Sequence, residues 1–380
     1  MGPPSPSGPA PAAETDVAET ETLMIRVLHV ETGRHLYGGA QQVVYLLAGL
    51  RRHPVQSALV CVPGAAIAGA VRELQLPVFE RACGGDLDLA FIARLGSVIR
   101  DWRPDLIHLH SRRGADLLGG VAARLAGVPA VLSRRVDNPE ARAWARLKYR
   151  LYARTIGISA GIVEVLHAAG APPGRLRVVR SAVDAGPWQT APARAAMAAE
   201  FGLDPSHRWI GVVAQLIERK GHRVLFEALR QLAPAATSLV LFGQGPLRPA
   251  LEAEAAGLPL PVRFAGFRRD LPHWLGGLDL LVHPAFMEGL GVSLLQASAA
   301  GVPILACRAG GIPEAVLDGI NGHLVAPGDA PALAEALGRL LADPAARARL
   351  AEGGRRLARE QFSTEAMVAG NLAVYRELRP

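Results

Sequence analysis

The chain has 380 residues, half of them apolar, and a formal charge of +7. That length holds two domains of ordinary size with sizeable cores, and no apolar run reaches the roughly 20 residues a membrane-crossing helix needs. All but two of the 41 basic residues are arginine, the exceptions being Lys148 and Lys220. A moderate basic excess suits phosphate-bearing substrates or an anionic membrane surface, and no helix-turn-helix, zinc-finger or RNA-binding pattern points to nucleic acid. The odd, scattered cysteines Cys61, Cys83 and Cys307 suit a reducing cytoplasm and speak against a disulfide framework.

Residues 1–23 are rich in Pro, Ala, Ser and Glu and carry no basic residue. They read as a disordered leader without the basic start and apolar core of a signal peptide, with Met24 as a second candidate start. Short β-branched runs then alternate with stretches of helical period. In the first half the strand candidates are Ile25–Val30, Ala58–Val62, Leu106–Leu109, Ala130–Leu132 and Thr155–Ile158. In the second half they are Ile210–Ala214, Ser238–Phe242, Val262–Phe264, Leu280–Val282, Ile304–Ala306 and His323–Val325. After Gly221, the residues Val224, Leu225, Ala228, Leu229 and Leu232 recur on one helical face. Such alternation predicts an α/β fold of parallel sheets covered by helices on both sides. It occurs twice, which places a boundary near residue 185 and two Rossmann-like domains facing a shared cleft. Ligands belong at the carboxyl ends of the strands.

The segment Phe286 to Ala297 follows a strand and opens a helix near Gly291. Gly289 and Gly291 let a ligand approach the backbone, and the helix start suits a diphosphate. Glu288 sits on the loop and Gln296 over a turn into the helix; the alternative is an ordinary strand-loop-helix with a solvated or capping Glu288. Gln215 to Gly221 likewise joins a strand to a helix, and Lys220 there is a suitable phosphate point contact in an arginine-dominated chain. Gly38 and Gly39 precede a helix expected near Gln42, either for ligand approach or as a tight turn. Neither this loop nor Gly243-Gln244-Gly245 meets the dinucleotide fingerprint, which disfavours a nicotinamide dehydrogenase. His108 and His110 alternate on one face of a strand end, as cleft lining, or as metal ligands lacking a third partner. In Ala141 to Arg154, Trp144, Leu147 and Leu151 share one helical face and Arg142, Arg146 and Arg150 another. That pattern is either a membrane-surface helix or a surface helix with a buried apolar stripe.

Together these segments resemble the family-four (group 1) glycosyltransferases of the GT-B fold over nearly the whole chain from Met24. The anchors, in family order, are Tyr37-Gly38-Gly39-Ala40, Arg103 to Ser111 with its Pro-Asp-x-x-His-x-His pattern, Ile158-Ser159 and Ser181 to Asp184. Then come Gly243-x-Gly245-Pro246, Phe264-x-Gly266, Pro284 to Gly291, Ala300 to Pro303 and Gly310 to Glu314. The resemblance implies an N-terminal acceptor domain over 24–185 and a C-terminal nucleotide-sugar domain over 186–361. It also implies a helix within 362–380 that crosses back to the first domain. It further implies metal-independent transfer with retention, without a cofactor. Glu288 would contact the donor sugar as the first acid of the family's Glu-x7-Glu pair, and Lys220 would neutralise the diphosphate. Gln215, Arg219, Gly243, Gly245, Gly289, Leu290, Gly291 and Gln296 would complete the donor side, and Gly38, Gly39, His108, His110, Arg134 and Arg135 the acceptor side or cleft.

Three positions depart from the family. Gln296 stands for its second acid, Gln215 for an arginine, with Arg219 as the substitute cation, and Ser133-Arg134-Arg135 where many members carry a histidine. The expected acceptor is a cell-envelope glycolipid or polysaccharide of the lipopolysaccharide type, met at the inner face of the cytoplasmic membrane with contact through 141–154. The competing functions are a sugar-nucleotide epimerase on the same architecture and a non-catalytic nucleotide-sugar-binding relative.

Overall fold

The computed structural model describes residues 2, 24–110, 114–138, 140–190, 192 and 194–378. The expected leader, Gly2 apart, lies outside the described residues, as does Ser111 of the His-x-His segment. Seven strands form the first sheet: β1 (Ile25–Glu31), β2 (Val55–Cys61), β3 (Val78–Glu80), β4 (Leu106–Leu109), β5 (Ala130–Arg134), β6 (Arg154–Gly157) and β7 (Leu176–Val178). Their order is β3-β2-β1-β4-β5-β6-β7, and all pairs are parallel. Six strands form the second: β8 (Arg208–Val213), β9 (Thr237–Phe242), β10 (Val262–Gly266), β11 (Leu280–His283), β12 (Ile304–Cys307) and β13 (Gly322–Val325). Their order is β10-β9-β8-β11-β12-β13, again parallel throughout.

The eleven expected strands are present with ends shifted by a few residues. β3 and β7 were not expected; each is three residues long and lies at an outer edge of the first sheet. An edge strand pairs on one side only and needs no long apolar run to be held. Helix Gly38–Leu50 begins four residues earlier than Gln42, so both glycines of the loop lie in its first turn. Helix His222–Leu232 turns Leu225, Phe226, Ala228 and Leu229 into the core.

In each sheet the strand order reverses at one place, between β1 and β4 and between β8 and β11. There the loops leaving adjacent strands part in opposite directions, which opens a crevice at the strands' carboxyl ends. The segments Glu31 to Tyr37, Ala214 to Gly221 and Pro284 to Gly291 all leave one of these four strands.

Helix Thr364–Arg376 lies against the first sheet. Met367, Val368, Leu372, Val374 and Tyr375 pack with Ile25, Val27, Leu46, Val131 and Ile156 in one apolar cluster, each such side chain contributing about 1.5–3 kcal/mol of transfer free energy. Tyr375 Oη is 2.6 Å from His108 Nδ1, and Glu377 just beyond the helix bonds Arg154 and Arg177. Among the described residues no helix is long and apolar enough to cross a membrane.

Candidate active site

Lys220 and Glu288 meet although they come from different strands. Lys220 ends the short turn Glu218–Lys220 after β8, and Glu288 lies in the loop after β11. The ammonium Nζ donates to Glu288 Oε2 in an ion pair. His283, the last residue of β11 and buried, has Nε2 3.1 Å from the same oxygen. Glu288 also accepts from the Gly289 N–H at 3.2 Å. Burial alone would push the Glu288 carboxyl up. The hydrogen bond from His283 and the charge and hydrogen bond of Lys220 outweigh it and lower it to about 2, so it stays a carboxylate at neutral pH. His222, beside Lys220, is held neutral by burial and by the neighbouring His283 and Lys220, its pKa lowered to about 4. Neither of its ring nitrogens has a partner among the described residues. Gly221 sits at φ +68°, and a Cβ there would overlap the carbonyl of Pro284; the two loops touch backbone to backbone.

The other expected donor residues divide. Gly291 caps helix Val292–Ala300 at φ +91°, which leaves the first N–H groups of that helix open to an anion. Gln215 is exposed and Gln296 partly exposed, both free to reach a ligand. Leu290 does not fit the expectation: its side chain is fully buried in the core, so only its backbone can face a donor. Gly243, at φ +146°, and Gly245 are needed by their neighbours, since a Cβ at either would overlap a carbonyl of the loop after β8, Ala214 or Leu216. Arg219 is already engaged, 3.6 Å from Asp137 in the first half of the chain. Other bridges between the halves run from Ser159 Oγ to the carbonyl of Gly289 at 2.6 Å and from the Gly161 N–H to Glu314 at 3.1 Å.

On the first sheet's side a cavity of about 260 Å³ opens at the ends of β1, β4 and β5, lined among others by Glu31, Tyr37, Gly39, His110, Asp116 and Arg135. A Cβ added at Gly38 would lie 3.8 Å from Val292 of the other half, and one at Gly39 would lie 3.5 Å from the Arg135 side chain. The carbonyl of Arg135 approaches Gly289. Its guanidinium forms no ion pair among the described residues, and its Nε is buried without a partner. Burial lowers its pKa to about 10 against the pull of Glu31 and Tyr375. Arg134 also borders the cavity, but its nitrogens serve the carbonyls of Val136 and Asn138 and the carboxylate of Glu140; it shapes the wall.

His110 lines the cavity; His108 does not. It is fully buried, with Nδ1 on Tyr375 and Nε2 2.8 Å from Ser133 Oγ. The missing third imidazole is His29, in register with His108 across β1 and β4, its Nδ1 3.0 Å from His110 Nε2. Only strand pairing brings it there, so the local pattern around residue 108 could not show it. The three rings offer nitrogens within 4.8 Å of one another. Three imidazoles are a donor set that zinc accepts, yet both nitrogens of His108 are taken and a guanidinium stands nearby. Burial lowers all three pKa values, that of His29 to about 3.

Lys148, the other lysine, is also buried against acids. Its Nζ is 3.0 Å from Asp116 and 2.5 Å from Glu140, and Tyr149 Oη donates to Glu140 at 2.7 Å. This polar inner face decides how helix Arg142–Tyr149 lies. Ala145, Lys148 and Tyr149 point inward, and Trp144 and Leu147 stay 46% and 61% exposed. The expected buried stripe through Trp144 and Leu147 is therefore absent.

Comparison with known proteins agrees with this architecture. The family described as Glycosyltransferase Family 4 matches residues 37–186, and that described as Glycosyl transferases group 1 matches residues 207–343. A 2-deoxystreptamine glucosyltransferase of Streptomyces kanamyceticus is 32% identical over 302 residues, 73% of this chain and 78% of that protein. The lipopolysaccharide core biosynthesis glycosyltransferase LpsE of Rhizobium meliloti is 36% identical over 157 residues, 41% of this chain and 46% of that protein. In fold the chain is similar to HepE of Anabaena, a crystal structure in complex with UDP and glucose, at a TM-score of 0.81 and 20% identity over 93% of this chain and 100% of that one. The two matched regions take in every strand of the two sheets but β1, and the chain belongs to the family-four, group 1 glycosyltransferases of the GT-B fold.

Proposed function

We propose that this glycosyltransferase moves a sugar from a nucleotide-sugar donor, with retention at the anomeric carbon, to a cell-envelope glycolipid or polysaccharide of the lipopolysaccharide type. The observation that carries the reading is the buried Lys220–Glu288–His283 group at the strand-order reversal of the second sheet. A cation and a permanently ionised carboxylate, side by side beneath an open helix start, match the two charges that develop when a glycosyl–diphosphate bond breaks. Lys220 and the N–H groups after Gly291 stabilise the departing diphosphate, and Glu288 faces the sugar, whose ring gains positive charge. The acceptor hydroxyl enters from the first sheet's cavity on the face the diphosphate leaves, and its proton passes to the departing phosphate oxygen. No metal and no cofactor enter this scheme; the cations are those of the chain. The Rhizobium relative named for lipopolysaccharide core biosynthesis supports the acceptor class. Exposed Trp144 and Leu147 beside Arg142 and Arg146 support contact with an anionic membrane at its inner face.

The test is a thermal-shift panel of UDP, GDP, ADP and their sugar conjugates on the wild type and Glu288→Ala, followed by transfer to lipopolysaccharide-core acceptors with and without EDTA. One nucleotide class should stabilise the wild type by mass action. Glu288→Ala should lose the extra stabilisation given by the sugar, and EDTA should leave transfer unchanged. A product formed from the donor alone would instead indicate an epimerase, and the absence of any nucleotide shift a non-catalytic relative.

A further inference from the structure

A second concave site lies at the other end of the first sheet. Its wall comprises Arg124, the backbone from Gly127 to Ala130, Arg150, the stretch Leu151 to Ala153, Arg154 and Arg175, around a volume of about 430 Å³. Ala130 and Arg154 are the first residues of β5 and β6. The hollow is thus separated from the transfer cleft by the length of those strands, roughly 15 Å at about 3.3 Å per residue.

Four arginines, Arg124, Arg150, Arg154 and Arg175, line the hollow, and one of them is paired with a carboxylate. Arg154 Nε bonds Glu377 at 2.7 Å, and Glu377 is shared with Arg177. Arg175 is fixed in the wall by its Nη1, which donates to the carbonyls of Arg150 and Tyr152 at 3.2 and 2.9 Å; its other nitrogens are unspent among the described residues. Arg124 and Arg150 pair with no acid among the described residues. Like charges around a concave surface repel one another and focus a positive potential into it. Guanidinium groups are the side chains best suited to hold phosphate oxygens in pairs, and the volume falls within the range of small-molecule sites.

We propose that this hollow binds a phosphate group carried by a small organic moiety, a site separate from donor and acceptor binding. The same chemistry is offered by a soluble phosphomonoester and by the glycerophosphate head of an anionic lipid, and two arms of one experiment separate them. In the first arm, binding of glycerol 3-phosphate, with glycerol as control, is measured by calorimetry on the full chain at fixed ionic strength. In the second, sedimentation is measured with vesicles of phosphatidylcholine alone and mixed with phosphatidylglycerol. The variant is Arg124→Gln with Arg150→Gln, neither side chain having a partner whose loss would unfold the chain. Arg349→Gln with Arg356→Gln removes the same charge from a remote exposed helix. Glycerol 3-phosphate should bind the wild type and the remote variant alike, and the hollow variant about tenfold or more weakly. UDP should stabilise all three equally, which keeps this result independent of the transfer reading. Loss in the first arm assigns the site to soluble phosphates. Loss confined to phosphatidylglycerol vesicles, with Trp144→Ser as the comparison for the neighbouring helix, assigns it to a lipid head. Equal binding by wild type and hollow variant in both arms, or equal loss in the remote variant, overturns the proposal.

Discussion

Lys220 and Glu288 orient each other through their ion pair, so on the proposed reading both would meet the donor already placed. Removing the carboxylate by Glu288→Gln should leave the chain folded, because the amide still accepts from Lys220, and should lower kcat by about 10²–10³-fold, the usual scale for one preorganised electrostatic contact. Lys220→Ala should cost more in stability, since it leaves a buried carboxylate with only His283 and the Gly289 N–H as partners, on the order of 2–4 kcal/mol. Urea unfolding of the two variants checks the order; a Lys220→Ala chain as stable as Glu288→Gln would mean that the pair is solvated. Lys220 and Glu288 were both legible in the sequence, because each lies on a loop between a strand and a helix with glycine beside it. His283 was not. As the last residue of a buried apolar strand it looks like any strand end, and only the turn of the following loop brings Glu288 back over it. The burial of the Leu290 side chain was hidden for the opposite reason: the residue lies between two glycines of the loop, yet its side chain turns under the loop into the core.

At the level of elements, the loops around the cleft touch through glycine. Gly243 at φ +146°, with the carbonyl of Ala214 where its Cβ would stand, should not tolerate a side chain. Gly243→Ala is expected to destabilise by roughly 2 kcal/mol or more and to weaken nucleotide binding in parallel, read by thermal shift with and without UDP. Helix Arg142–Tyr149 behaves differently. Its stability comes from Lys148 and Tyr149 on the inner face, so Trp144→Ser with Leu147→Ser should change unfolding free energy by no more than about 0.5 kcal/mol while reducing sedimentation with anionic vesicles. Unchanged vesicle binding would remove this helix from the membrane reading. The amphipathic pattern of this helix was visible in the sequence, but its orientation was not. The partners that rotate it, Asp116 and Glu140, lie on segments whose approach depends on how β4 and β5 are placed. For the same reason β3 and β7 escaped notice, whereas the inner strands, apolar on both faces, did not.

Across the whole molecule, neutral imidazoles are built into the interior. His29, His108, His110 and His222 have pKa values lowered by burial, to about 3 for His29 and about 4 for His222, against 6.5 in an unfolded chain. Below pH 6.5 the unfolded state takes up protons that the folded state refuses, so stability is full above that pH and falls as pH drops. Each such group contributes at most about 1.4 kcal/mol per pH unit. Stability by urea unfolding should therefore decline steadily from pH 6.5 to pH 5, before the carboxylates titrate, and a flat profile over that interval would show the cluster to be hydrated. Tyr375 links the same cluster to the last helix, so Tyr375→Phe should loosen that helix first, seen as faster amide exchange over residues 364–376.

The chain's only two lysines are each buried against carboxylates, and this gives the folded molecule an unusual resistance. Amine-acylating reagents should find little in the native chain to modify apart from its α-amino group. A lysine-specific protease should cut only what has unfolded, after residues 148 and 220. Those two cuts lie in different halves. The fragment that ends at residue 148 reports opening around helix Arg142–Tyr149, and the fragment that begins at residue 221 reports opening of the loop that carries Lys220. A ligand that closes the cleft should slow the second cut and leave the first unchanged.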